Sequence, residues 1–184
     1  MSLARTKLAQ LSFDRSFDTE YGLLFWPNPM LRLPAIHTFV QFNVLLWTRL
    51  VTTLLAFNAL GINSVQVGWP EGLMITHIFD TFTNMQLFTM LGEVTPYGAI
   101  STSVEECLSL PNLKQVVIRR ECAIVVGYTA GGGLCAINAT YPSAICWQHE
   151  GDHSFGILTV DTSIKHLLSP PKPKLLLAPP ANVK

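Results

Sequence analysis

Near the end of a 184-residue chain, His149, Glu150 and His153 stand in the spacing H-E-x-x-H. Few features constrain a fold as tightly. Side chains four apart share one face in a helix, so both imidazoles meet one divalent cation only if this segment is helical. Glu150 then lies close enough to accept and return a proton. The same segment carries Ala144, Ile145, Cys146 and Trp147, so one side of it must be buried. The composition allows that. Hydrophobic residues make up 49% and charged residues 13%, against a usual charged share of about 25%. Such a chain builds a core without disulfide or metal staples, and disorder throughout is excluded.

Lys and Arg number 12, as do Asp and Glu. A neutral balance offers no electrostatic footprint for nucleic acid or for an anionic membrane. Four cysteines without a C-x-x-C pair argue against a disulfide framework and for a reduced compartment. The most apolar stretch, about 36–60, is long enough to span a bilayer. It holds Arg49, which costs about 2.5–3.5 kcal/mol at a membrane's centre, so a largely buried core helix is expected and a membrane anchor is the rival. Residues 1–20 form a lead-in with Arg5 and Lys7 and no acid before Asp14. This faintly resembles an organelle transit segment. The proline-rich residues 169–184 are expected to be extended or disordered.

Between these ends the pattern gives one domain, 21–168. Trp26-Pro27-Asn28-Pro29 reads as a turn. Helical spacing of Phe39, Phe42, Leu46, Leu50, Leu54 and Phe57 predicts a helix over 37–57. Strand character appears at 64–67, 73–79, 86–91, 116–118, 123–128 and 134–139, with Ser101-Thr102-Ser103 as a loop and Gly131-Gly132-Gly133 as a hairpin tip. Thr140 is the expected N-cap of the H-E-x-x-H helix, which starts at Tyr141-Pro142 and stops near Gly156, before a short strand at 157–160. The order implies an α+β fold, with antiparallel or mixed sheets packed around the motif helix.

A catalytic metal of this kind takes three protein ligands and keeps a position for water. Thr159 stands where one metalloprotease pattern has its third histidine, and no glutamate follows Glu150. The third ligand therefore lies upstream, among Cys107, His37, His77, Glu105 and Glu106. Cys107 stands out, in the polar run Glu105-Glu106-Cys107-Leu108-Ser109. Cys122, Cys135 and Cys146 lie in apolar segments and read as small buried hydrophobes.

Three segments, in order, resemble the motifs of the peptide deformylase family: Ala59-Leu60-Gly61-Ile62-Asn63-Ser64-Val65-Gln66 (family pattern G-φ-G-φ-A-A-x-Q), Glu105-Glu106-Cys107-Leu108-Ser109 (E-G-C-L-S) and Gln148-His149-Glu150-Gly151-Asp152-His153 (Q-H-E-x-D-H). The flanks agree: Trp26 to Arg32 is similar to the family's P-D-P-x-L-R, and Phe155 to Asp161 to the stretch after its last motif. The resemblance covers about 22–165. It implies a ferrous-type centre on Cys107, His149 and His153, with zinc, nickel or cobalt as other occupants. Glu150 would be the general base and acid, and Gln66 with the backbone N–H of Leu108 would polarise a formyl oxygen. Leu60, Gly61, Glu105, Ile145 and Cys146 would border the substrate. Arg120 or its neighbour Arg119 matches a family arginine.

The departures are Ala59, Asn63-Ser64 and Glu106, the last standing where the family has glycine. Since Gln66, Cys107, Glu150 and both histidines remain, the expected function is removal of the N-formyl group from formylmethionyl nascent peptides. A deformylase-like peptide-binding protein without efficient turnover is the alternative. The implied partners are the nascent chain and, beside it, the ribosome; no nucleic acid, no membrane and a monomer are expected. Formylated chains arise in bacteria, mitochondria and plastids, and the basic lead-in favours the mitochondrion.

Overall fold

The computed structural model describes residues 21–36, 43–78, 86–129 and 133–164. Five strands form one sheet in the order β1-β2-β3-β4-β5: β1 Gly61–Asn63, β2 Leu73–Ile78, β3 Gln86–Cys107, β4 Leu110–Thr129 and β5 Leu134–Thr140. Every pair is antiparallel, so the expected α+β class holds and its sheet is antiparallel among the described residues. Among the described residues three α-helices accompany it: α1 Val44–Ala56, α2 Ser143–Ser154 and the single turn α3 Thr159–Thr162.

β3 and β4 make a long ribbon that turns at Leu108-Ser109, with Cys107 opposite Leu110. A register shift between Tyr97 and Ile100 gives β3 one extra residue there, and Gly98 takes φ +83°, a backbone that glycine adopts without strain. The expected loop at 101–103 is strand, since Ser101 to Ser103 pair with Arg119 to Val117.

α1 replaces the expected helix over 37–57. Asn43 caps it by accepting from the Leu46 N–H at 3.1 Å, so the helix begins at Val44; residues 37–42 lie outside the described ones. Its far end closes with Asn58 N–H to Leu55 O (3.2 Å) and Ala59 N–H to Leu54 O (2.9 Å), a Schellman pattern with Asn58 at φ +50°. Leu46, Leu50 and Leu54 pack on Ile62, Val67 and Ile75. The helix is half buried rather than largely buried: Val44, Leu45 and Leu55 are exposed, because β1 and the neighbouring turn cover only one face. Among the described residues no helix is long and apolar enough to cross a membrane.

Residues 64–67, expected as strand, form a 3-10 turn. Asn63 and Gln66 bond reciprocally across it, a capping box, and Gly68 ends it at φ +75°. α2 covers the inner face of the sheet, where Ala144 and the fully buried Trp147 meet Met74, Ala123, Val125 and Ala139. Its N-cap is Pro142, without a side-chain bond. Thr140 instead ends β5 opposite Cys122, because the ladder continues to that residue. Gln148 docks α2 on β4 by taking Arg120 N–H and giving to Arg120 O, at 3.0 and 2.7 Å. The expected strand at 157–160 is instead irregular backbone at 157–158 and the start of α3, whose Asp161 accepts from Leu158 N–H and pairs with Arg32. The two outer segments of the motif resemblance thus meet. Of the expected hairpin tip, 130–132 lie outside the described residues, as do the lead-in and the tail.

Candidate active site and metal centre

Two elements bring the candidate ligands together: the end of β3, at the tip of its ribbon with β4, supplies Cys107, and one face of α2 supplies His149 and His153. Their ligand atoms lie within 4.8 Å of one another and all three residues are buried. Cys107 Sγ stands 3.3 Å from His153 Nε2, backed by Leu24, Leu31, Leu110 and Leu158. A thiolate and two imidazoles form a donor set suited to a first-row divalent ion. His153 Nδ1 and Glu150 Oε2 are buried and have no hydrogen-bond partner among the described residues, so the polar atoms around the cluster are not closed by protein groups. The residues fit a metal ion.

Support for the candidate ligands is ionic. His149 Nδ1 donates to Glu105 Oε2 at 2.9 Å, which leaves Nε2 as its candidate ligand atom. Arg119 grips the same carboxylate with Nε and Nη2, at 2.8 and 2.9 Å. It also reaches Asp152 through Nη1 at 2.6 Å. Burial pushes the Glu105 carboxyl up, but the Arg119 and His149 bonds outweigh it and hold the group at about 2. Burial also opposes the charge on Arg119, yet its two carboxylate partners raise its pKa. Burial lowers the pKa of His149, but Cys107 and Glu105 more than reverse this. For His153, burial and then the charge of His149 act downward. Glu150 is pushed up to about 7, chiefly by burial; a divalent cation on the three ligands acts in the opposite sense.

A cleft of about 840 Å³ opens over the cluster. Gln66, Cys107, Leu108, His149 and Glu150 all border it. Gln66 is held on both sides of its amide: Oε1 accepts Asn63 N–H at 2.9 Å, and Nε2 points to Ser109 Oγ at 3.1 Å and Cys107 Sγ at 3.7 Å. The amide therefore turns its donor end toward the Cys107 sulfur. Residues 24–26 cross beneath, with Leu24 N–H to Gln66 O at 2.7 Å and Trp26 N–H to Ser109 O at 2.9 Å.

Leu60, Gly61, Ile145 and Cys146 line the same cleft. Glu105 borders it too, with its oxygens engaged by Arg119, His149 and Ser103. Glu106 is exposed at the rim and paired with Lys114 Nζ at 2.6 Å, outside the ligand cluster, because alternation along β3 turns it away from Cys107. Arg119, not Arg120, is the buried arginine; Arg120 is exposed and gives to Gly98 O. His37 and the side chain of His77 lie outside the described residues. The four cysteines are free; Cys122, Cys135 and Cys146 are half-buried rather than buried.

The sequence profile of the polypeptide deformylase family matches residues 22–167. The chain belongs to the peptide deformylase family. A peptide deformylase of Thermodesulfovibrio yellowstonii is 33% identical over 113 residues, covering 61% of this chain and 68% of that one. That of Wolinella succinogenes is 30% identical over 146 residues, covering 76% and 85%. The crystal structure of a peptide deformylase from Legionella pneumophila superimposes with TM-score 0.70 at 25% identity, over 79% of this chain and 88% of that one. A plant peptide deformylase shares the fold, with TM-score 0.72 at 22% identity, over 83% and 85%. Members of the family are metal-dependent hydrolases that remove the N-formyl group from nascent peptides, and the chain is such an enzyme.

Proposed function

We propose that the chain deformylates N-formylmethionyl peptides at the cleft over Cys107, with Cys107, His149 and His153 holding one divalent metal ion. The observation that supports this reading is the buried Cys/His/His cluster with Glu150 and the Gln66 donor on the same cleft. When bound, the metal polarises the carbonyl and lowers the pKa of water.

The chain's own residues do the rest. Gln66 Nε2 and the Leu108 N–H hold the formyl oxygen as charge develops on it. Glu150 takes a proton from the attacking water and returns it to the departing amine nitrogen, so that formate and a free methionyl amine leave. Leu60, Gly61, Ile145 and Cys146 form the wall for the methionine side chain. The small formyl carbon fits where bulkier acyl groups clash, so an acetyl-Met peptide is not turned over.

The catalytic unit spans 21–168. Ferrous iron is the native ion, and zinc, nickel or cobalt can replace it, since affinity alone does not discriminate among them. The enzyme acts as a monomer on chains leaving a bacterial-type ribosome. Its basic lead-in favours the mitochondrion over the plastid or bacterial cytoplasm. A fusion of residues 1–25 to a fluorescent reporter tests this: a mitochondrial signal supports it, and a diffuse signal contradicts it. The function is tested by formate release from a formyl-Met peptide by protein prepared anaerobically and loaded with Fe(II). Release is expected. A folded preparation that binds one metal ion and releases none contradicts the reading.

A further inference from the structure

Asn63 stands where the family pattern has alanine, and it is wholly buried. Its side chain is committed in three directions. Oδ1 accepts from Val65 N–H at 3.1 Å, and Nδ2 gives to Glu150 O at 2.7 Å and to Ser154 Oγ at 2.8 Å. Its own N–H gives to Gln66 Oε1 at 2.9 Å. One residue thus touches the side chain of the proposed oxyanion donor and the backbone of the proposed proton carrier. An alanine can make only the backbone bond.

We propose that Asn63 is a positioning residue that locks the Gln66 amide to α2 at Glu150, so that the donor and the carboxylate keep one spacing across the cleft. The Oδ1 bond caps the 3-10 turn and so places the Asn63 N–H against Gln66 Oε1. A flipped Gln66 amide would set NH₂ against that N–H, so the orientation with Nε2 toward Cys107 is enforced. The Nδ2 bonds anchor the capped turn on α2, 87 residues away in the chain. Loss of the anchor costs few unpaired groups, because Ser154 Oγ can turn back to the Glu150 carbonyl one helical turn before it. Its effect is therefore on placement, to which a reaction of this kind is sensitive. The inference rests on the proposed roles of Gln66 and Glu150.

The test is a double-mutant cycle in metal-loaded protein. Asn63→Ala should lower kcat for a formyl-Met peptide about tenfold with KM changed less than about twofold. In a Gln66→Ala background the same change should cost less than about twofold, because the group it positions is gone. Equal losses in both backgrounds, or a kcat loss matching only the unfolded fraction, would overturn the proposal. If Asn63→Ala does not fold, Asn63→Asp keeps the Oδ1 cap and removes the donor, and it should show the same non-additivity. The Gln66 side-chain NH₂ resonances of Zn(II)-loaded protein give a readout independent of turnover. Their hydrogen exchange should quicken in either Asn63 variant. Unchanged exchange contradicts the lock, whereas a wild type with slow exchange and no deformylation sinks the functional reading alone.

Discussion

Helices α1 and α2 are almost equally long, 13 and 12 residues, and they are held in opposite ways. α1 carries its instructions locally: Asn43 caps one end, a Schellman pattern closes the other, and three leucines cover one core. α2 has no side-chain cap and opens on Pro142, yet nine of its residues are buried, among them Gln148, His149, Glu150 and His153. What keeps α2 in place comes from β3 and β4: Glu105, Arg119 and the Arg120 backbone. One helix is stabilised by its own caps and by three leucines laid on Ile62, Val67 and Ile75. The other is stabilised by distant partners, because Gln148, His149 and Asp152 bond to β3 and β4.

Breaking the distant partners should therefore do the most damage. Arg119→Met leaves Glu105 and Asp152 facing each other without a cation, a loss of about 3–5 kcal/mol. By releasing His149 it should also weaken metal binding about 10–100-fold. Denaturant midpoints and a metal titration check both, and an unchanged metal affinity would break the contrast. Leu50→Ala in α1 should cost about 2–5 kcal/mol, yet leave metal affinity per folded molecule unchanged. The same two measurements apply, and a weakened metal site would mean that α1 also holds the site in place.

β1 contacts both helices, and its Gly61 faces α2. A Cβ there would lie 2.5 Å from Glu150 Oε1 and 2.6 Å from Cys146 Sγ. Gly61→Ala should cost about 1–3 kcal/mol through overpacking and depress turnover more than stability, as paired kinetic and melting data would show. The smallest effect belongs to the α1 C-terminus. Asn58→Gly relieves a positive φ and should raise stability by less than about 1 kcal/mol. A loss would show that the Asn58 side chain contributes more than its backbone conformation.

The contrast also explains what was legible in the sequence. The motif helix could be read because H-E-x-x-H has meaning only at helical spacing, and α1 because its leucines recur with that period. The turn at 64–67 reads as strand by its valines, although N-S-V-Q carries the polar ends of a capping box; a local bond overrode β-propensity. Arg119 could not be separated from Arg120, because Val116, Val117 and Ile118 make both faces of β4 apolar and hide which parity points inward. The link from Asn63 to Glu150 joins residues 87 apart in the chain, and no local pattern announces it.

In the proposed reaction Glu150 carries the proton while Cys107, His149 and His153 hold a metal ion. Turnover of a formyl-Met peptide by Glu150→Gln, measured beside its metal content, tests both roles. Full metal occupancy with formate release reduced at least about a hundredfold is the predicted result. A fully loaded variant that releases formate within about threefold of the wild-type rate would contradict it, since general acid–base transfer alone is worth about 10²–10⁴-fold.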